Sequence, residues 1–282
     1  MKLIWLTDIH LNFVNKEDRM RFYQKLIKTS SDKILITGDI AESSSVCEIL
    51  KEMTSTIKKP IYFVLGNHDY YRGQVAQVRK KIIDLTKAEQ FLYWLPASGP
   101  QNFGNETLLL GADGWADGRY GDYANSRVAI NDSRMISDLL HYEIVGKYQL
   151  LEKMQELANQ DAHQLKVSLV DAIRKQRPKK IIIMIHVPPF KETCLYEGKI
   201  SNDDFLPFFA SKAMGAVLIQ IAQENDGIEL LVLCGHTHSK AHWQLCDNLT
   251  VKVGAAEYTT PEIQEESISI TRFISKGFHT VN

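Results

Sequence analysis

The sequence predicts an α/β protein in which parallel strands alternate with helices. Three short apolar runs have the length of buried strands, and the segments between them carry apolar side chains at helical spacing. The strands are predicted at residues 2–7, 33–37 and 61–65, and the helices at residues 17–28, 46–57 and 74–87. Asp8, Asp39 and Asn67 follow the three strands at intervals of about 30 residues, the length of a βαβ unit. We therefore expect them at one edge of a parallel sheet, where such sheets bind ligands.

Further apolar runs predict strands at residues 107–112, 180–185 and 230–234. A meander of short antiparallel strands is expected near the C-terminus, at residues 242–246, 249–253 and 267–274. Residues 143–176 have helical spacing, as one long helix or as two helices joined near residues 159–161. We interpret residues 1–282 as a single domain and residues 117–176 as a loop and helical elaboration within it.

The composition is that of an ordinary globular protein. Apolar residues make up 44% of the 282 residues, and 33 basic and 34 acidic residues give a formal charge of −1. This balance lacks the electrostatic signature of a nucleic-acid-binding protein. The four cysteines show neither CxxC spacing nor a disulfide framework, which favours a reduced, cytoplasmic protein. We expect no signal peptide, because Asp8 and His10 interrupt the N-terminal apolar run, and no membrane span.

Five short clusters of polar residues each follow a strand-like run. They are Asp8-Ile9-His10, Gly38-Asp39, Gly66-Asn67-His68-Asp69, Ile185-His186 and Gly235-His236-Thr237-His238. Carboxylate, amide and imidazole groups are ligands of divalent metals. If the backbone is extended, residues i and i+2 point to the same side, so Asp8 and His10 can share one metal, and His236 and His238 can do the same. Seven candidate ligands exceed the need of one ion and suit two ions that share a carboxylate.

In this order, DIH, GDI, GNHD, IH and GHTH closely resemble the motifs of the calcineurin-like metallophosphoesterases. The motifs frame residues 8–238, most of the chain. The resemblance implies a four-layer αββα sandwich with the metal site at the carboxyl ends of the strands. It implies two divalent metal ions (Mn, Fe, Zn, Ni or Mg) with Asp39 as the bridging ligand. The first ion would be held by Asp8, His10, Asp39 and His238, and the second by Asp39, Asn67, His186 and His236.

The resemblance also implies an activity, namely hydrolysis of a phosphomonoester or phosphodiester by a metal-bridging hydroxide. His68 would protonate the leaving oxygen, and Asp69 would orient the His68 imidazole. The stretches GDIAES and LGNHD differ from the GDxVDRG and RGNHE of the phosphoprotein phosphatases. The chain therefore resembles the bacterial branch of phosphodiesterases and phosphatases.

Substrate contacts are predicted on two loops that follow strand ends, with Arg72, Arg119 and Tyr120 as candidates. The alternative is that these are solvated loop residues. The expected partner is a small-molecule phosphate ester, with no membrane and no nucleic acid. Two other functions are left open, a non-catalytic scaffold on the same fold and a DNA nuclease of the same family. The sequence predicts no oligomeric state.

Overall fold

Strands and helices alternate along residues 1–268, the part of the chain that this computed structural model describes. The strands are β1 (Leu3–Leu6), β2 (Lys33–Thr37), β3 (Ile61–Val64), β4 (Leu92–Trp94), β5 (Gln101–Asn102), β6 (Thr107–Gly111), β7 (Lys180–Met184), β8 (Leu195–Tyr196), β9 (Lys199–Ile200), β10 (Glu229–Cys234), β11 (Ala241–Cys246), β12 (Leu249–Val253) and β13 (Glu265–Ile268). The helices are α1 (Lys16–Lys28), α2 (Val46–Ile57), α3 (Val75–Ala88), α4 (Leu95–Ser98), α5 (Asp132–Met135), α6 (Ser137–Val145), α7 (Lys147–Gln176), α8 (Leu206–Phe209) and α9 (Lys212–Glu224).

The strands form two large sheets. The first has the order β13-β1-β2-β3-β4, with β1 to β4 parallel and β13 antiparallel to β1. The second has the order β11-β12-β10-β7-β6-β5, with β12, β10, β7 and β6 parallel. A short hairpin, β8-β9, stands apart from both. The parallel arrangement of β1 to β3 confirms the expectation that their carboxyl ends share one edge.

The two sheets pack face to face, and helices cover their outer faces. Side chains from both sheets, including Trp5, Leu35, Ile182 and Leu231, form one buried cluster between the sheets. Alternate residues of the same strands point the other way and pack against the helices. Because both faces are covered, the central strands are apolar throughout. The architecture is therefore the expected four-layer αββα sandwich.

Of the predicted helical range 143–176, residues 147–176 form one continuous helix, α7, without a break near residues 159–161, and residues 143–145 belong to the preceding helix α6. The helix begins after Gly146 and ends at Gln176, and the following residue, Arg177, has a left-handed backbone and precedes Pro178. The first half of α7 packs into the cluster on the outer face of the first sheet, and its second half packs onto the second sheet. Helix α7 therefore connects the two outer layers.

The C-terminal strands differ from the predicted meander. Strand β11 pairs antiparallel with β12, but β12 pairs parallel with β10, and β13 joins the other sheet. The prediction was wrong because the sequence of a short strand does not indicate which sheet the strand joins. The rest of the predicted strand, residues 269–274, lies outside the described residues. Within residues 1–268, no helix is long and apolar enough to cross a membrane.

Candidate metal centre

The candidate ligands converge at the edge where the carboxyl ends of both sheets meet. Loops after β1, β2 and β3 carry Asp8, His10, Asp39 and Asn67. Loops after β7 and β10 carry the three remaining imidazoles, those of His186, His236 and His238. Residues that are up to 230 positions apart in the sequence are therefore neighbours here.

The first cluster contains Asp8, His10, Asp39 and His238, whose ligand atoms all lie within 4.8 Å of one another. Nε2 of His10 lies 3.2 Å from Nε2 of His238, which in turn lies 3.4 Å from Oδ1 of Asp8. Asp8, His10 and Asp39 are buried, whereas 23% of the His238 side chain is exposed. The cluster is therefore reached from the side of His238, and its four atoms match the set implied for the first ion.

The second cluster is built around the side-chain oxygen of Asn67. Nδ1 of His186 lies 2.8 Å from the carbonyl oxygen of Thr37, and Nε2 of His236 lies 2.9 Å from that of Phe208. Because a carbonyl oxygen only accepts, these two ring nitrogens carry the protons. In a neutral ring the opposite nitrogen bears a lone pair, and in both histidines this nitrogen lies 2.9 Å from Oδ1 of Asn67.

This arrangement of lone pairs fits a cation. Nδ2 of Asn67 donates to Oδ1 of Asp132 over 2.8 Å, which fixes the amide so that its oxygen faces the two imidazoles. Acceptor atoms that face one another without a proton repel, and a positive ion among them removes the repulsion. Metal-ligating histidines commonly donate their second N–H to a carbonyl or carboxylate, as His186 and His236 do here. The residues present therefore fit a second divalent metal.

Asp39 faces both clusters with different oxygens. Its Oδ2 lies 3.8 Å from Nε2 of His10, and its Oδ1 lies 3.4 Å from Nε2 of His186. The backbone N–H of His68 donates to Oδ1 over 2.9 Å and holds the carboxylate in place. One carboxylate placed in this way can serve two ions, which is the bridging role that the resemblance implied for Asp39.

Burial and neighbouring charges move the pKa values of the ligands in opposite directions. Burial lowers the pKa of His10 to about 3, against the opposing charge of Asp8. Burial raises the pKa of Asp39 well above its ordinary value, and the charge of Asp8 adds to this effect. Burial acts to lower the pKa of His238, but the hydrogen bond to Asp8 and the charges of Asp8 and Asp39 together raise it. Protonation of Asp39 and His238 is therefore favoured without metal, and a bound cation would compete with these protons.

Five ligands have a left-handed backbone. The φ angles of Asp8, His10, Asp39, His236 and His238 are 48°, 38°, 51°, 73° and 55°. The expectation of an extended backbone after the strands was therefore wrong, since the chain turns sharply as each strand ends. His236 and His238 accordingly point to different clusters and do not share one. Each residue with this backbone conformation costs of the order of 1 kcal/mol or more of folding free energy, and such conformations persist where the surrounding fold enforces them.

Two glycines make room for the carboxylates. A Cβ atom on Gly66 would lie 2.2 Å from Oδ1 of Asp39, and one on Gly235 would lie 2.0 Å from Oδ2 of Asp8. Any side chain at these positions would displace a ligand. The glycines of the GNHD and GHTH motifs are therefore needed for space.

His68 lies at the open side of the centre. Its ring stacks on Tyr71 with centroids 4.2 Å apart, and its Nε2 lies 3.9 Å from Oδ2 of Asp39. Its side chain is 14% exposed, whereas that of His10 is fully buried. Burial lowers the pKa of His68 to about 4, although the charge of Asp132 acts in the opposite direction. The ring therefore borders the centre from a position that a substrate can reach.

Asp69 has different contacts from those predicted. Its Oδ1 accepts the backbone N–H groups of Ile40 and Ala41 over 3.0 and 2.8 Å, and its Oδ2 accepts that of Gly66 over 2.9 Å. Asp69 thus holds the loops after β2 and β3 together. The prediction that it orients the His68 imidazole needs correction, because neighbouring residues of the 3₁₀ turn His68–Tyr70 point in different directions.

The three candidate substrate residues lie outside the ligand clusters. The Arg72 side chain is 65% exposed and pairs with Glu42. Arg119 pairs with Asp117 over 2.7 Å and donates to Asn159, and Tyr120 lies beside Lys212. None of the contacts described for these three side chains reaches a candidate metal ligand, so their role in substrate binding stays a prediction.

Sequence reasoning missed three residues at the centre. Asp132 accepts hydrogen bonds from both Asn67 and Tyr71 and so connects the 117–176 elaboration to the centre. The ring of Tyr258 lies 4.6 Å from that of His10, and Phe13 packs edge-on against Tyr258 at 5.6 Å. None of these three residues belongs to a motif, and tertiary structure brings Asp132 and Tyr258 to the centre, whereas Phe13 lies three residues after His10.

Comparison with known proteins supports the same fold. An uncharacterized metallophosphoesterase from Aquifex aeolicus (strain VF5) is 31% identical over 77 residues, which are 26% of this chain and 30% of that relative's length. The crystal structure of a phosphopantetheinyl hydrolase from Mycobacterium tuberculosis superposes with a TM-score of 0.66 at 12% identity, covering 92% of this chain and 90% of the other. A dimetal phosphatase from Danio rerio has a TM-score of 0.56 at 11% identity, with coverage of 93% and 89%.

The family model for calcineurin-like phosphoesterases matches residues 1–240. This match includes all seven candidate ligands and strands β1 to β10. The chain therefore belongs to the calcineurin-like phosphoesterase family.

Proposed function

We propose that this chain is a dinuclear metal-dependent phosphoesterase that hydrolyses a small phosphomonoester or phosphodiester. The observation that carries the proposal is the position of Asp39 between two sets of ligands, with one carboxylate oxygen facing each set. The first set presents Asp8, His10 and His238, and the second presents Asn67, His186 and His236. All seven positions that the family uses for two ions are filled.

The two ions, when bound, supply Lewis acidity for the phosphoryl oxygens and for the attacking water. The chain itself supplies position and a proton. His68 is proposed to carry a proton on its ring for the leaving oxygen, since it borders the centre without ligating either cluster. The negative charge of a bound phosphate ester favours the protonated imidazole and raises its pKa from the low value of the free site. Tyr71 holds the ring plane by stacking.

Asp69 and Asp132 are proposed as positioning residues. Asp69 fixes the loops that carry Asp39 and Asn67 through backbone hydrogen bonds. Asp132 fixes the amide of Asn67, so that its oxygen points at the second cluster. Neither carboxylate is proposed to contact the substrate.

The alternatives are a non-catalytic scaffold and a DNA nuclease of the same family. A scaffold has no need of a complete ligand set, and this chain has one. A nuclease is expected to carry a basic surface for the phosphate backbone, whereas the formal charge here is −1. A cytoplasmic location is also proposed, supported by four free cysteines.

The test combines metal content with turnover. The chelator-treated protein is loaded with Mn²⁺, Fe²⁺, Zn²⁺, Ni²⁺ or Mg²⁺ and assayed on aryl phosphomonoesters, aryl phosphodiesters and single-stranded DNA. We expect two ions per chain and turnover of at least one aryl ester. Asp39→Asn should lose both ions and activity together, whereas Asp138→Asn, which alters a carboxylate that accepts the N–H of Val75, should lose neither. Full turnover by Asp39→Asn would overturn the proposal.

A further inference from the structure

A second group of buried charged residues adjoins the metal centre, and the proposed chemistry does not use it. Its central member is Asp113, which follows β6 and has a fully buried side chain. Its Oδ1 accepts the backbone N–H of Leu65 over 2.8 Å and Nε1 of Trp94 over 2.9 Å. Its Oδ2 accepts the hydroxyl of Tyr70 over 2.6 Å and lies 3.1 Å from the guanidinium of Arg79. All acceptor positions of this carboxylate are therefore in use.

Asp113 contacts the segments that carry two ligands of the second cluster. Leu65 lies two residues before Asn67, and the carbonyl oxygen of Asp113 accepts the backbone N–H of His186 over 2.8 Å. One residue thus holds the loop after β3 and the loop after β7. A shift of Asp113 would move Asn67 and His186 relative to each other.

Arg79 extends the group to helix α7. Its Nη2 donates to both oxygens of Asp161 over 2.9 and 2.8 Å, and its Nε donates to the Tyr70 hydroxyl over 3.0 Å. Asp161, in the middle of α7, also accepts the backbone N–H of Gly114 over 3.0 Å. The path from α7 to the second cluster therefore consists of direct hydrogen bonds at every step.

Stability alone does not account for this group. Burying two carboxylates with one guanidinium costs desolvation energy that well-packed apolar residues of similar volume avoid. Such networks have their clearest value where precise placement of a neighbouring site is needed. The group around Asp113 adjoins the loops that carry Asn67 and His186, and this position matches that use.

We propose that Asp113, Arg79 and Asp161 form a positioning network that sets the distance between Asn67 and His186 and so couples helix α7 to the second metal site. This proposal rests on the proposed two-metal function. It assigns the 117–176 elaboration a role in metal loading, through Asp161.

The test is calorimetric titration of the chelator-treated protein with Mn²⁺, compared for wild type and Asp161→Asn. The substitution keeps the volume and leaves Arg79 paired with Asp113. We expect wild type to bind two ions, and Asp161→Asn to bind the second about tenfold more weakly, the lower end of the loss caused by removing a ligand's own partner, because Asp161 acts through Arg79 and Asp113. Because the second site is then less occupied, kcat should fall, whereas KM measured at saturating Mn²⁺ should change little. Arg79→Lys, which retains the charge but not the two-oxygen contact, gives the same comparison if Asp161→Asn does not fold.

A matched control is available in the same chain. Arg19, Glu52 and Tyr23 form a similar group in which Arg19 contacts both oxygens of Glu52 and Tyr23 donates to one of them. This group joins α1 to α2. Glu52→Gln should lower the melting temperature as Asp161→Asn does, yet bind two ions with wild-type affinity. Equal weakening of metal binding in both variants would reduce the effect to general destabilisation and overturn the inference.

Coupling in the reverse direction gives a readout that does not depend on turnover. Mn²⁺ should slow amide hydrogen exchange around residues 157–165 of α7 in wild type and in Glu52→Gln, but not in Asp161→Asn. If Asp161→Asn binds two ions as tightly as wild type, the inference fails and the proposed function stands. If wild type itself binds no pair of ions, the proposed function fails first.

Discussion

Nε2 of His186 lies 2.9 Å from Oδ1 of Asn67, and in the neutral ring whose Nδ1 donates to Thr37 neither of these two atoms has a hydrogen to place between them. The tautomer of His186 is fixed by its contact with Thr37, and the amide of Asn67 is fixed by Asp132. The repulsion between the two acceptors is thus enforced by the fold. A cation is the group that would turn this contact into an attraction, so metal binding and folding stability should be linked.

Removal of metal should therefore destabilise the protein. At a free Mn²⁺ concentration of 100 times Kd, each ion should add about 2.7 kcal/mol to the free energy of unfolding. For a chain of this size, that corresponds to a rise in melting temperature of several degrees per ion, measured by differential scanning calorimetry with and without chelator. Ca²⁺ is the matched control, because it has the same charge but prefers oxygen ligands. Equal stabilisation by Ca²⁺ would contradict an imidazole-rich site.

Replacement of His68 should separate substrates by their leaving group. His68→Gln is expected to keep both ions, since the ring of His68 is not a ligand. Its kcat should fall by about 10²-fold or more on alkyl phosphates, whose leaving oxygens need a proton, and by less than about tenfold on 4-nitrophenyl phosphate. The exposed His163 on α7 provides the control substitution His163→Gln. A uniform loss across leaving groups would argue against proton donation.

Metal uptake should release protons near pH 6.5, and these protons should come from particular ligand side chains. The pKa of His238 is raised above its ordinary value of 6.5, so near that pH this ring holds a proton that a metal must displace. The pKa of His10 is lowered to about 3, so this ring is already free of its proton. Metal affinity should therefore rise as the pH increases through the pKa values of Asp39 and His238.

Calorimetry in buffers of different ionisation enthalpy measures these released protons. His238→Gln should release about one proton fewer than wild type, whereas His10→Gln should release the same number. The two variants remove ligands of the same cluster, so the difference in proton count is not explained by weaker binding alone. Loss of a proton in the His10→Gln variant would reverse the assignment.

Two half-exposed aromatic side chains should affect substrate choice. Phe13 and Tyr258 are 46% and 49% exposed and contact each other and His10 at the open side of the centre. Stacking on such a ring contributes about 1 kcal/mol, so Phe13→Ala should raise KM for aryl phosphates about fivefold. KM for a small alkyl phosphate and kcat for both should change little. Tyr148 on α7 is an exposed aromatic residue and provides the control, since Tyr148→Ala should leave both KM values unchanged.

The ligand loops could be predicted from sequence because their signals are local. Each ligand follows an apolar run of strand length, and parallel strands bring such positions to one edge whatever their separation along the chain. Asp113 carries the same signal, since it comes directly after β6, but its neighbours complete no recognised motif. A systematic search for polar residues after predicted strands would have found it.

The remaining contacts could not be predicted because they depend on how layers pack. Asp132 reaches Asn67 from an irregular segment, and Tyr258 reaches His10 from the loop between β12 and β13. Asp69 shows the opposite difficulty. Its place beside His68 in the sequence suggested a contact between the side chains, whereas the carboxylate is used by backbone N–H groups of two loops.

The left-handed backbone at five ligands has a consequence for how such a chain can change over evolution. These conformations, together with buried like charges, make the metal-free centre a local weakness that the rest of the fold must compensate. A lineage released from catalysis would gain stability from almost any substitution that relaxes these turns, and its ligands would be replaced quickly. Substitutions that relax these turns should therefore stabilise the metal-free protein at the same time as they weaken metal binding.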